Sequence, residues 1–142
     1  LKNSARRKRG ERGAVIVETS LVFIIFTFMM VGAFDFGQFL FTQQALADRA
    51  RLAARWGSVS DPTNSSAIQN MVLYGQSTVP VGSGGVFGLT SSNVTSAVTD
   101  SGTDNYRLTV MISGYTFSYA ILGHLLGAAG PKITVAVPLG LN

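Results

Sequence analysis

Arg6-Arg7-Lys8-Arg9-Gly10-Glu11-Arg12-Gly13-Ala14-Val15-Ile16-Val17-Glu18 is a basic cluster running into an apolar stretch. That stretch continues to Phe34 with Glu18 as its single ionisable group. Bilayer hydrocarbon is about 30 Å thick and a helix rises about 1.5 Å per residue, so about 20 apolar residues cross it. Ala14–Phe34 meets that length, and the chain is expected to insert into a membrane. Lys and Arg resist translocation, so Arg6, Arg7, Lys8, Arg9 and Arg12 are expected to hold residues 1–13 in the cytoplasm, with residues after about 40 outside. A conventional secretory signal fits less well. Its apolar region is about 7–15 residues and does not normally carry a glutamate, although Val31-Gly32-Ala33 imitates a small-residue cleavage site.

At 142 residues the chain has room for one membrane helix and one small domain. The net charge of +4 is local: Lys2 and the five clustered basic residues face only Glu11 in the first thirteen positions, which leaves the remainder near −1. That is no nucleic-acid footprint, and no nucleic-acid partner is expected. The chain has no cysteine, which excludes a disulfide framework and thiolate metal sites. Stability should therefore come from packing on the long helix or on neighbouring subunits.

The helical pattern outlasts the apolar run. No proline occurs before Pro62, and beyond Asp35 polar residues (Gln38, Thr42, Asp48, Arg51, Arg55) take one face. The opposite face carries Phe39, Gln43, Leu46, Ala47, Ala50, Ala53, Ala54 and Gly57 at spacings of three and four. Small residues such as Ala47, Ala50 and Ala54 let another helix or a sheet approach closely. Gly32 and Gly37 read first as helix-packing positions and second as places where the helix can bend. One helix is predicted from about Arg12 to Trp56, roughly 65 Å long, with Gly57, Ser58, Asp61 and Pro62 as stop signals. Asp48 lies three residues before Arg51, the spacing of a weak surface pair.

Residues 58–142 read as a head domain. Asp61–Tyr74 is predicted to be a short amphipathic helix with Pro62 in its first turn and Ala67, Ile68, Met71 and Val72 on one side. Strands are predicted at Val94–Val98, within Tyr106–Tyr115, where Leu108, Val110 and Ile112 share a face, and at Ile133–Val137, closed by Pro138. The apolar stretch Tyr115–Gly130 is expected to be a helical or looped connection over one face of the sheet, or a surface for a partner. The fold class is thus α+β: a long N-terminal transmembrane and amphipathic helix over 14–57, then a small antiparallel β-containing head.

Catalytic chemistry has no foothold. His124 is the only histidine, and no acid or nucleophile stands in register with it. Asp100 and Asp104 lack the further oxygen ligands of a calcium loop. Gly82-Ser83-Gly84-Gly85 is a flexible turn, because no lysine or helix start follows as a phosphate loop requires. No cofactor, no metal and no enzymatic activity are expected.

A carboxylate inside a bilayer costs about 2.5–3.5 kcal/mol on insertion scales and is a functional candidate by default. Glu18 lies about one turn inside the boundary, where it can reach headgroups or Arg12; alternatively it pairs with a cation on a neighbouring helix. Gly13-Ala14-Val15-Ile16-Val17-Glu18 resembles the processing region of type IV-like prepilins. More specifically, Arg12–Leu21, Phe34-Asp35-Phe36-Gly37-Gln38 and Ala47–Gly57 resemble the TadE-like pseudopilins of Flp/Tad pilus systems. The resemblance covers residues 12–57. It implies a pseudopilin of the bacterial cytoplasmic membrane, cut between Gly13 and Ala14 by a prepilin peptidase. By analogy the new Ala14 amine meets Glu18 of the adjacent subunit; with the leader retained, Glu18 turns instead to Arg12 or a neighbour's arginine.

The expected function is that of a structural subunit of a type IV-like Tad pilus, used for adhesion or secretion. Its expected partners are copies of itself or other pilin subunits, the lipid bilayer, the prepilin peptidase and the pilus assembly machinery. The alternatives are the principal subunit of an extracellular filament and a bitopic membrane adaptor whose head binds a partner.

Overall fold

The computed structural model describes residues 3–82, 84–118 and 127–140. By contacts the chain divides into two compact units, Leu1–Gly37 and Gln38–Asn142. Helix α1 runs Asn3–Val59, longer at both ends than predicted. The basic arm is itself helical from Asn3. At the other end, Gly57 does not terminate α1: the Ser60 amide donates to the Trp56 carbonyl at 2.9 Å, a full turn further on.

In the second unit, Leu46, Ala50, Ala53 and Ala54 of α1 are fully buried. They join a core with Ile68, Val72 and Leu73 of α2 (Ser65–Tyr74) and Leu108, Val110 and Ile112 of β2 (Arg107–Ile112). The alanine stripe thus meets the chain's own head. Gly57 shows how close the approach is: a Cβ there would lie 2.8 Å from Leu108 Cδ2 and 3.0 Å from Ile68 Cδ1. Close packing, and not helix termination, explains this glycine.

Helix α2 starts later than predicted. Asp61 accepts hydrogen bonds at Oδ1 from the Thr63 amide (2.9 Å) and hydroxyl (2.7 Å), forming a local turn that keeps Pro62 out of the helix. The Thr63 hydroxyl and amide also hold the Asp61 carboxyl below its ordinary pKa. Asn64 then caps α2 through Oδ1, which accepts from the Ala67 amide at 3.1 Å. Gly75, in the left-handed region at φ 73°, closes it by donating its amide to the Met71 carbonyl.

Strand β1 (Val94–Thr99) pairs antiparallel with β2, and β2 pairs antiparallel with β5 (Ile133–Pro138), giving the order β1-β2-β5. All three lie where alternation placed them. Leu108, Val110 and Ile112 point into the core, as central-strand residues with one buried face must. Tyr115–Gly130 departs from its reading as a helix or loop. Its ends form β3 (Thr116–Ser118) and β4 (Gly127–Ala129), a separate antiparallel pair in the register Thr116↔Ala129. Tyr119, Ile121, Leu122, His124, Leu125 and Leu126 lie outside the described residues.

Candidate functional site

The functional candidate is the surface of α1, and the two units present different parts of it. In the first unit every residue from Gly13 to Met30 is exposed. Phe23, Phe26, Phe28, Met29 and Met30 each show more than 60% of their surface. Apolar area left in water costs about 25 cal/mol per Å², so a bare stretch of this extent needs lipid or another helix around it. Its length and composition suffice to cross a membrane.

The polar groups of this segment divide into two kinds. Thr19 Oγ1 donates to the Val15 carbonyl, Ser20 Oγ to the Ile16 carbonyl and Thr27 Oγ1 to the Phe23 carbonyl, each at 2.8 Å. These hydroxyls are satisfied within the helix and enter hydrocarbon at little cost. Glu18 is different. It is exposed, and among the described residues its carboxylate has no hydrogen-bond or ion-pair partner. Its four lone-pair positions must be met from outside the described segment.

Gly13 and Ala14 are both exposed on the helix, and nothing within 4 Å would obstruct a side chain at Gly13. The side chains of Arg6, Arg7, Lys8, Arg9 and Arg12 lie outside the described set, although their backbone belongs to α1. A Cβ at Gly32 or Gly37 would likewise meet nothing within 4 Å, so nothing in the described chain requires glycine there. Asp35, one residue past the apolar run, is 2% exposed and is engaged, not free.

In the second unit α1 turns its small residues inward. Ala50 and Ala54 are fully buried and Ala47 is half-buried. Outward it shows the Asp48–Arg51 pair at 2.8 Å, with both side chains mostly exposed, which is worth little to stability. Gln43 Nε2 donates to the Tyr115 hydroxyl oxygen at 2.5 Å, and Phe39 meets the Phe117 ring edge-on at 5.4 Å. These contacts bind the amphipathic half of α1 to the β3–β4 hairpin, a link that sequence reasoning missed. The apolar stretch Tyr115–Gly130 was visible, but reading it as one connection hid the pairing of its two ends.

Burial pushes the Tyr115 phenol above its ordinary pKa of 10.0, and the hydrogen bond from Gln43 opposes that shift. A group whose folded pKa is raised contributes stability that is complete below the unfolded value and is lost as pH rises through the folded one. The unfolding midpoint of the full chain in detergent should therefore fall as pH passes about 10. Tyr115→Phe should flatten that decline, and an unchanged pH profile in the variant would show that Tyr115 carries none of it.

Among the described residues no group of histidine, cysteine and carboxylate side chains is placed to hold a metal. No curated protein and no solved structure matches this chain. Residues 13–55, which comprise the exposed apolar segment with Glu18 and the helix up to the alanine stripe, match the model of the family described as TadE-like protein. Over that segment the chain is similar to the TadE-like family.

Proposed function

We propose that this chain is a structural subunit of a Tad-type pilus. The proposed arrangement keeps the basic arm in the cytoplasm and the head outside, with cleavage between Gly13 and Ala14 by a prepilin peptidase and side-by-side packing of the helices. One observation carries the reading: Glu18 is the sole ionisable group of the apolar run Ala14–Phe34, and among the described residues its carboxylate has no partner. A lone carboxylate costs about 2.5–3.5 kcal/mol in hydrocarbon, and an adjacent subunit's cation removes much of that cost. The Ala14 amine released by cleavage is the natural cation, because it lies about one helical turn from Glu18 along the rod. TadE-like proteins are pilus-associated and structural in kind, which agrees with a chain whose readable features are all packing surfaces.

Glu18→Ala tests this. The variant should insert normally, since removing a charge eases insertion, but subunit association should weaken by roughly 10- to 100-fold, the equivalent of about 1.4–2.8 kcal/mol. Membrane extraction reads insertion, and the yield of sheared filaments reads assembly. Normal filaments from the alanine variant remove Glu18 from the mechanism. In the same preparation, mass spectrometry of wild-type subunits should show Ala14 as the first residue.

A further inference from the structure

Asn64-Ser65-Ser66 and Asn93-Val94-Thr95 both fit the pattern Asn-X-Ser/Thr that marks an acceptor for an N-linked sugar. The pattern is short enough to recur by chance in polar loops, so the geometry of each asparagine decides. An acceptor needs a side-chain amide nitrogen that an enzyme can reach, and a surface with room for a bulky, hydrated chain.

Asn93 meets neither need. It is half-buried at the entry to β1. Its Nδ2 carries two hydrogens, and they go to the Gly114 carbonyl at 2.9 Å and the Ser113 carbonyl at 3.3 Å. Its Oδ1 accepts from the Thr90 amide at 2.9 Å and the Thr90 hydroxyl at 2.8 Å. The side chain thus ties the start of β1 to the residues just after β2, and a sugar on Nδ2 would replace a hydrogen bond of that tie.

Asn64 is the opposite case. It is exposed, and its Oδ1 accepts from the Ala67 amide at 3.1 Å and the Ser66 hydroxyl at 3.0 Å. The Ala67 amide can only donate, so the atom facing α2 is the oxygen. Nδ2 occupies the other arm of the planar carboxamide and has no hydrogen-bond partner among the described residues. The hydroxyl that the pattern requires is already in contact with the asparagine it marks. Residues 59–66 are exposed apart from the half-buried Pro62, which leaves the connection between α1 and α2 open to an approaching enzyme. Substitution at Nδ2 removes no hydrogen bond of the described fold, because Oδ1 goes on capping α2.

We propose that Asn64 Nδ2 carries an N-linked sugar and that Asn93 does not. The inference rests on the reading that places the head outside the membrane. Nucleotide-activated sugars are polyanions that do not cross hydrocarbon unaided, so on that side the donor is a glycosyl diphosphate carried by a lipid. In the transfer the anomeric carbon forms a C–N bond to Nδ2 as its bond to the diphosphate oxygen breaks. The bonding pair leaves with the lipid diphosphate, and one Nδ2 proton passes to a carboxylate of the transferring enzyme. Nothing is oxidised or reduced. The two donations to Oδ1 draw electron density from the amide and make that proton easier to remove.

The full-length chain, isolated from membranes of its native host, tests this by mass spectrometry of its peptides. The peptide bearing Asn64 should be heavier by at least one hexose or N-acetylhexosamine, and the peptide bearing Asn93 should keep its unmodified mass. Asn64→Gln and Ser66→Ala should each lose the increment, and Ser66→Thr should keep it. Ser66→Ala retains the Asn64 cap on α2, so its loss does not report misfolding. An increment on Asn93, or one that survives in Ser66→Ala, overturns the selection by geometry. Blocking the loading of sugar phosphate onto the lipid carrier should also abolish the increment; a sugar that persists comes from a cytoplasmic nucleotide donor and overturns the lipid route. Protease added to intact spheroplasts reports separately where the head lies. An unmodified Asn64 on a head digested from outside overturns the proposal and leaves the membrane reading standing. A head that protease reaches only after the membrane is opened overturns that reading, and the proposal with it.

Discussion

Leu108→Ala should lower the unfolding free energy of the head by about 2–5 kcal/mol, with a fall in midpoint on the order of 10 °C or more. Leu108 is fully buried on the central strand. Its Cδ2 lies against the position of Gly57 on α1, and Ile68 of α2 lies at the same point. Truncation therefore opens a cavity where two helices and the sheet meet, and none of the three closes it freely. Strand β2 is hydrogen-bonded on both sides, to β1 and β5, while α1 and α2 are held by their own buried faces. Thermal unfolding of the full chain in detergent, followed by circular dichroism, reads the effect. A loss below 1 kcal/mol would mean that the sheet and helices are not packed as described.

Gly130→Val should destabilise the head by about 3 kcal/mol or more. The ring of Tyr115 lies directly on the Gly130 backbone: a Cβ there would overlap the ring carbons Cε2 and Cζ and stand 2.7 Å from Cδ2. The Gly130 amide also donates to the Tyr115 carbonyl at 2.8 Å, so the two backbones cannot separate without losing a ladder bond. The ring must then leave its site, where it is 5% exposed, which forfeits about 1.5–3 kcal/mol of burial and the hydrogen bond from Gln43. Gly130→Ala should show the same sign with a smaller size. Near-UV circular dichroism reports the displaced tyrosine, and a wild-type spectrum in the valine variant would contradict the contact.

The α+β class, the long helix and three of the strands were legible because each rests on local periodicity. Leu108, Val110 and Ile112 alternate, and Ala47, Ala50 and Ala54 recur at helical spacing, whatever they touch. Glu18 stood out for a similar reason: one acid in an apolar run is anomalous in any fold. The start of α2 was misplaced because Pro62 suits a first turn, yet the Asp61 carboxylate captured Thr63 first. The β3–β4 pair was missed because three-residue strands such as Thr116–Ser118 carry too little alternation to distinguish them from loop.

Gly57 marks the division between the two levels of information. Composition and spacing alone established that a lipophilic helix with a cationic foot leads into a polar-skinned α+β head, since those properties follow from hydrophobicity and period along one chain. They were silent on what Gly57 and Gly130 are for. Each of these depends on an atom brought near from another part of the chain, Leu108 and Tyr115 in turn. Close approach is a property of three-dimensional packing, where a single methyl group decides whether two surfaces meet.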